Sequence, residues 1–172
     1  MDKTKRSRGL RQLALGLACG GFLGMVAPSF AGDAHLSQEA RKQLAEARQA
    51  TAKYHQLSVA LADEYIDIGL CMDGMGYHYL KGAYVDGTFD PAKPQLLVYS
   101  PQPGSGRMRL VAVEYAVPID YDNIVPPEGF DGTYDEWDFN DGAGLWTLHA
   151  WVWLQNPDGI FAPFNPRVGA CP

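Results

Sequence analysis

The sequence predicts an α+β fold in which a long N-terminal helix packs on a curved antiparallel β-sheet. Two periodicities carry that expectation. Up to Ile68 one set of residues recurs at alternating spacings of four and three; beyond Gly69 the period falls to two. The order of the two is the third observation. All the helical pattern precedes all the strand pattern, unlike the alternating βαβ order of a parallel sheet.

The helix is expected over 37–68. Ser37 can cap its start, and Glu39 lies in the first turn, where the helix dipole favours an acid. Ala40, Leu44, Ala47, Thr51, Tyr54, Ser58, Leu61, Tyr65 and Ile68 form one stripe, and Gly69 is a natural stop. Unbroken, such a helix runs about 48 Å at 1.5 Å per residue, long for one domain, so a bend or break is expected between Thr51 and Ser58.

Strands are expected at Tyr77–Lys81, Gln95–Tyr99, Met108–Val117 and Trp146–Leu154, which are rich in β-branched and aromatic residues, with a short edge piece at Tyr84–Thr88. Pro, Gly and Asp clusters at 90–94 and 101–106 separate them. A long segment, 118–144, holds eight acids and no Lys or Arg, yet also carries five aromatic residues. A connection of that length in a compact domain is usually functional.

The first 31 residues read as a secretory signal peptide. Lys3, Lys5, Arg6, Arg8 and Arg11 precede an apolar run from Leu13 to Val26, and small residues lead up to Ala31. Export to the periplasm or the medium, with cleavage after Ala31, is the expectation, leaving 32–172 as a single domain. That portion holds nine basic and nineteen acidic residues, a net charge of −10. Such a surface repels nucleic acid and anionic lipid, and no later apolar run is long enough to span a membrane. Cys19 would leave with the signal. Cys71 and Cys171 then remain, and in an oxidising compartment an isolated pair is most simply a disulfide.

Candidate chemistry centres on two histidines and a carboxylate. His78 and His149 lie inside predicted strands, and Glu114 sits in the middle of Val111-Ala112-Val113-Glu114-Tyr115. Alternation places His149 with Thr147, Trp151 and Trp153, and Glu114 with Leu110, Ala112 and Ala116. On neighbouring strands in suitable register, Glu114 and His149 would meet in a cavity walled by Trp151 and Trp153, with His78 joining from its own strand. Two histidines and a carboxylate are a ligand set for a divalent metal, the candidate cofactor; without metal they suit acid–base chemistry. Tyr79, Tyr115, Trp151, Trp153 and Arg167 are the candidate ligand-binding side chains, and Arg167 could pair with Glu114. A buried, hydrogen-bonded Glu–His pair with no further role accounts for the same residues.

The tail Asn156-Pro157-Asp158-Gly159-Ile160-Phe161-Ala162-Pro163-Phe164-Asn165-Pro166-Arg167-Val168, closing at Cys171, carries a further indication. With Gly74-Met75-Gly76-Tyr77-His78-Tyr79, Val113-Glu114-Tyr115 and His149-Ala150-Trp151-Val152-Trp153, it resembles a family of uncharacterised exported bacterial proteins that end in this motif. The resemblance implies export and a single domain; no activity, substrate or cofactor comes with it. Physically, the three prolines forbid regular structure, so the tail reads as a strap folding back over the sheet and fastened by Cys171.

The leading expectation is an exported domain that binds a small molecule or a metal ion. The alternatives are a small metal-dependent or acid–base enzyme of lyase or isomerase type using His78, Glu114 and His149, and a protein-interaction module acting through 118–144.

Overall fold

The computed structural model describes residues 35–132 and 135–172. The expected signal peptide, its cleavage point and Cys19 lie outside the described residues. Helix α1 (Gln38–Thr51) starts where Ser37 accepts a hydrogen bond from the Ala40 N–H, and it buries Ala40, Leu44, Ala47 and Thr51. A 3₁₀ turn at Ala52–His55 and a short helix α2 (Leu57–Ala62) follow. The single helix to Ile68 is therefore corrected, and the break falls inside the expected window. At the junction Gln56 is extended, with φ −93° and ψ 105°. Local bonds enforce the turn: Thr51 Oγ1 donates to the Ala47 carbonyl, while Lys53 and the Tyr54 hydroxyl both bind Asp63.

Strand β1 (Ile66–Met72) begins where the helix was expected to end. Ile66, Ile68, Leu70 and Met72 already alternate in period two, and Glu64 at φ 67° separates them from α2. Gly69 sits at φ 68° inside the register irregularity between Asp67 and Cys71, so it makes a bulge and not a helix cap. Then come β2 (Gly76–Leu80), β3 (Leu96–Pro101), β4 (Met108–Pro118), β5 (Asp138–Asn140) and β6 (Leu145–Ala150). The expected edge piece at Tyr84–Thr88 is absent. A 3₁₀ turn covers Gly82–Tyr84, and Asp86 Oδ1 accepts from both the N–H and the hydroxyl of Thr88. β5 is a strand that the sequence pattern did not single out within 118–144.

All five strand pairings are antiparallel, and the sheet order is β1-β2-β3-β4-β6-β5, curled into a half-barrel. One face joins α1 and α2 in the larger core, with Leu97, Tyr99, Leu110, Val113, Tyr115, Leu148 and Ala150. Phe130, from the long 118–144 segment, is buried in the same core and packs on Phe89, Tyr115 and Phe161. The opposite face holds a smaller cluster of Val98, Val111, Ala112, Trp151 and Val168.

Val168 brings the tail onto that second face. Asn165 is fully buried; its N–H donates to the Gly74 carbonyl at 2.7 Å, and its side-chain amide reaches the Leu154 carbonyl. The Trp151 indole N–H donates to Ala162 O, and Asn156 Nδ2 to Phe164 O. Cys171 then closes a disulfide with Cys71, their Cα atoms 5.9 Å apart. Among the described residues no helix is long and apolar enough to cross a membrane.

Because the disulfide joins residues 100 positions apart, it removes much chain entropy from the unfolded state. Replacing both cysteines by serine is expected to lower the unfolding free energy by up to about 4.7 kcal/mol, read from urea unfolding. A change under about 0.5 kcal/mol would show that the tail's hydrogen bonds alone hold it.

Candidate metal centre

Strand register builds the site. β4 and β6 are neighbours, with Glu114 directly opposite His149 and Ala116 opposite Thr147. β2 lies beyond β3, where His78 pairs with Val98 and Val98 with Ala112. His78 is thus two strands and one pleat from Glu114, and small Ala112 beside Glu114 leaves room for the ring to reach over. The three side chains converge on the second face. His78 Nε2 is 3.5 Å and His149 Nε2 3.9 Å from Glu114 Oε2. One donor atom from each of the three lies within 4.8 Å of the other two.

All three are buried: His78 is 1% exposed, Glu114 6% and His149 2%. The β1 bulge turns the Leu70 carbonyl toward the site, 3.3 Å from His78 Nδ1. That contact assigns the His78 proton to Nδ1 and leaves the Nε2 lone pair facing Glu114, the arrangement a metal-ligating imidazole uses. His149 stacks on Trp151 with ring planes 14° apart, and neither of its nitrogens has a hydrogen-bond partner. An unpaired buried polar group costs about 1–3 kcal/mol. The three donors therefore stand close together while His149 is left without a hydrogen bond from either of its neighbours.

Burial dominates the electrostatics. It pushes the Glu114 carboxyl up to about 7, against the opposing pull of His78 and a hydrogen bond from Thr147. It holds the His149 imidazole down to about 4, and it lowers His78 as well, more than the Glu114 charge raises it. Near neutral pH both rings are therefore uncharged, and a cation held by the three donors would replace the Glu114 proton.

Of the expected ligand-binding side chains, Trp151 alone stands at this site. Tyr79 and Tyr115 belong to the helix-side core; the Tyr115 hydroxyl donates to Pro91 O. Trp153 also faces the helices: its indole N–H donates to Thr51 Oγ1, and its ring packs on His55 under Arg48. The alternation that placed it beside His149 stops because β6 ends at Ala150, where the Val152 N–H turns back to the Ala150 carbonyl. Arg167 binds the Gln155 carbonyl and side chain, so its pairing with Glu114 is corrected. Leu110 is displaced too, because the irregularity opposite Val98 and Tyr99 moves it to the helix side. The Leu70 carbonyl was missed. It is backbone, and the glycine before it was its only trace in the sequence.

In chelator-treated protein the two shifts act in opposite directions. His149 has a folded pKa of about 4 against an ordinary 6.5, so its contribution to stability is present above 6.5 and lost as pH falls through 4. Glu114, at about 7 against 4.5, contributes fully below 4.5 and loses that contribution as pH rises through 7. Relative to wild type, His149→Phe is expected to gain stability as pH falls from 6.5 to 4, and Glu114→Gln as it rises from 4.5 to 7. Thermal midpoints against pH measure this, and parallel curves for all three proteins would refute it.

Comparison of the chain with protein-family profiles, with curated proteins and with solved structures returns no match.

Proposed function

We propose that this protein is an exported metal-binding domain that takes one divalent transition-metal ion on His78 Nε2, His149 Nε2 and Glu114 Oε2. The observation that carries the reading is His149: a buried imidazole with both nitrogens unpaired, facing a carboxylate at 3.9 Å, too far for a hydrogen bond. Two imidazoles and one carboxylate are a zinc-type donor set, with bonds near 2.0–2.2 Å and a fourth position for water. Donors on one tetrahedral ion stand about 3.4 Å apart, so the two His–Glu spacings of 3.5 and 3.9 Å are close to what it requires, and the 4.8 Å spread must close by about 1.4 Å. The Leu70 carbonyl supports the reading further, because a second partner that sets the ring tautomer is what metal-bound histidines carry.

A metal-dependent or acid–base enzyme on the same three residues would need the site to open, since none of them is more than 6% exposed. An interaction module through 118–144 is a second reading. Support for it comes from Tyr121, Ile124 and Val125, each more than half exposed on that segment. The secreted or periplasmic location, with processing after Ala31, belongs to the same proposal.

The decisive measurement is titration of metal-free protein with Co²⁺ and Zn²⁺, following the Co²⁺ absorption bands and weighing bound metal by elemental analysis. One ion per chain is expected, with affinity at least about 100-fold lower in His149→Ala, which removes one donor of three, and in Glu114→Gln, which replaces the anionic donor by a neutral amide oxygen. Thermal melts of the metal-free variants show whether they fold. Stoichiometric binding that survives Glu114→Gln, or no binding by the wild type, would overturn the proposal. For the second reading, Tyr121, Ile124 and Val125 changed together to serine should abolish capture of a protein partner while leaving Co²⁺ binding intact; retained capture removes that reading.

A further inference from the structure

If His149 ligates through Nε2, its one remaining proton sits on Nδ1, and a buried N–H needs an acceptor. Glu114 cannot serve, because its carboxylate lies on the Nε2 side of the ring. The sheet supplies another carboxylate across β6. On β5, Asp138 pairs directly with Thr147, and Thr147 shares its face with His149 two residues on. Asp138 is therefore a diagonal neighbour of His149, a separation of about 7–8 Å that an Asp and an imidazole span together. Order matters here: with β6 between β4 and β5, Glu114 and Asp138 flank His149 from opposite sides.

Three further observations single out Asp138. Its carboxylate makes no hydrogen bond or ion pair among the described residues, yet its charge acts on both Glu114 and His149. It sits on a three-residue edge strand and is exposed, so its side chain is free to turn inward. Charge balance favours that turn: a divalent cation with one carboxylate leaves a net positive charge in a buried site, and a second carboxylate cancels it.

We propose that Asp138 is a positioning residue for the His78–Glu114–His149 site, accepting the His149 Nδ1–H across the β5–β6 edge and presenting Nε2 to the ion. The inference rests on the metal-binding reading above. Position 138 is exposed, so substitution there leaves the core untouched.

The test is zinc-loaded full-length mature protein, with Zn²⁺ affinity measured by competition against a chelator and the His149 ring nitrogens read by long-range ¹H–¹⁵N correlation. Wild type is expected to show a protonated Nδ1 and a metal-bound Nε2. Asp138→Ala should lose about 10–100-fold in Zn²⁺ affinity and shift the Nδ1 resonance. Asp138→Asn keeps an acceptor oxygen and should retain the wild-type Nδ1 signature. Unchanged affinity in Asp138→Ala overturns the proposal, and so does weakened affinity with an unmoved Nδ1 resonance, which would make Asp138 a remote charge only. Failure of the wild type to bind Zn²⁺ removes the underlying metal reading itself.

Discussion

The β4–β6 ladder, which sets Glu114 directly across from His149, is the constraint on which the rest of the molecule depends. Because side chains alternate faces along a strand, a slip of one residue would send Glu114 into the helix-side core and bring Val113 or Tyr115 to the second face. The core forbids that slip. Val113, Tyr115, Leu148 and Ala150 occupy the helix side of the same two strands, each fully buried. The apolar packing on one face thus holds the polar cluster in register on the other. That is how a fold can retain three buried ionisable groups without losing a unique structure.

A second layer of organisation comes from what covers the second face of the sheet. The tail has almost no regular structure, yet its backbone N–H groups bind Gly74 O and Asp73 Oδ1, the Asn165 side-chain amide binds the Leu154 and Gln155 carbonyls, and its end is bonded to β1 at Cys71. Immediately before Cys71, the bulged Leu70 carbonyl sets the tautomer of His78. The same short stretch of edge strand therefore anchors the strap and orients a candidate ligand. Excluding water raises the cost of each unpaired polar atom and strengthens any ion placed among them. The burial that makes His149 an anomaly in the metal-free chain would favour the proposed complex.

Much of this was legible in the residues. Ser37, the stripe from Ala40 to Tyr54, and the strands around His78, Leu97, Glu114 and His149 all fall where the periodicity placed them. The Cys71–Cys171 bond and the folded-back tail also follow the expectation. The failures have physical causes. Residues 66–72 carry both a period-two alternation and the end of a helical stripe, and the choice between them was made by hydrogen bonding to β2. Trp153 and Leu110 changed faces because a turn and a bulge each broke the alternation by one residue. Asp138 and Asn140 alternate around Phe139 for only three residues, too few to stand out in an acidic segment.

By itself, the sequence determined the first helix and the four inner strands in their order, the oxidisable pair, and the three side chains whose chemistry is out of place in apolar strands. Those are local properties, set by periodicity and residue type within a few positions. Tertiary structure alone decided that His78, Glu114 and His149 meet, that the Leu70 carbonyl faces one ring, that Asp138 stands diagonally across from the other, and that Arg167 binds Gln155 and not Glu114. These depend on strand order, register and single-residue bulges, which arise from contacts between segments up to about a hundred residues apart and leave almost no trace in any one of them.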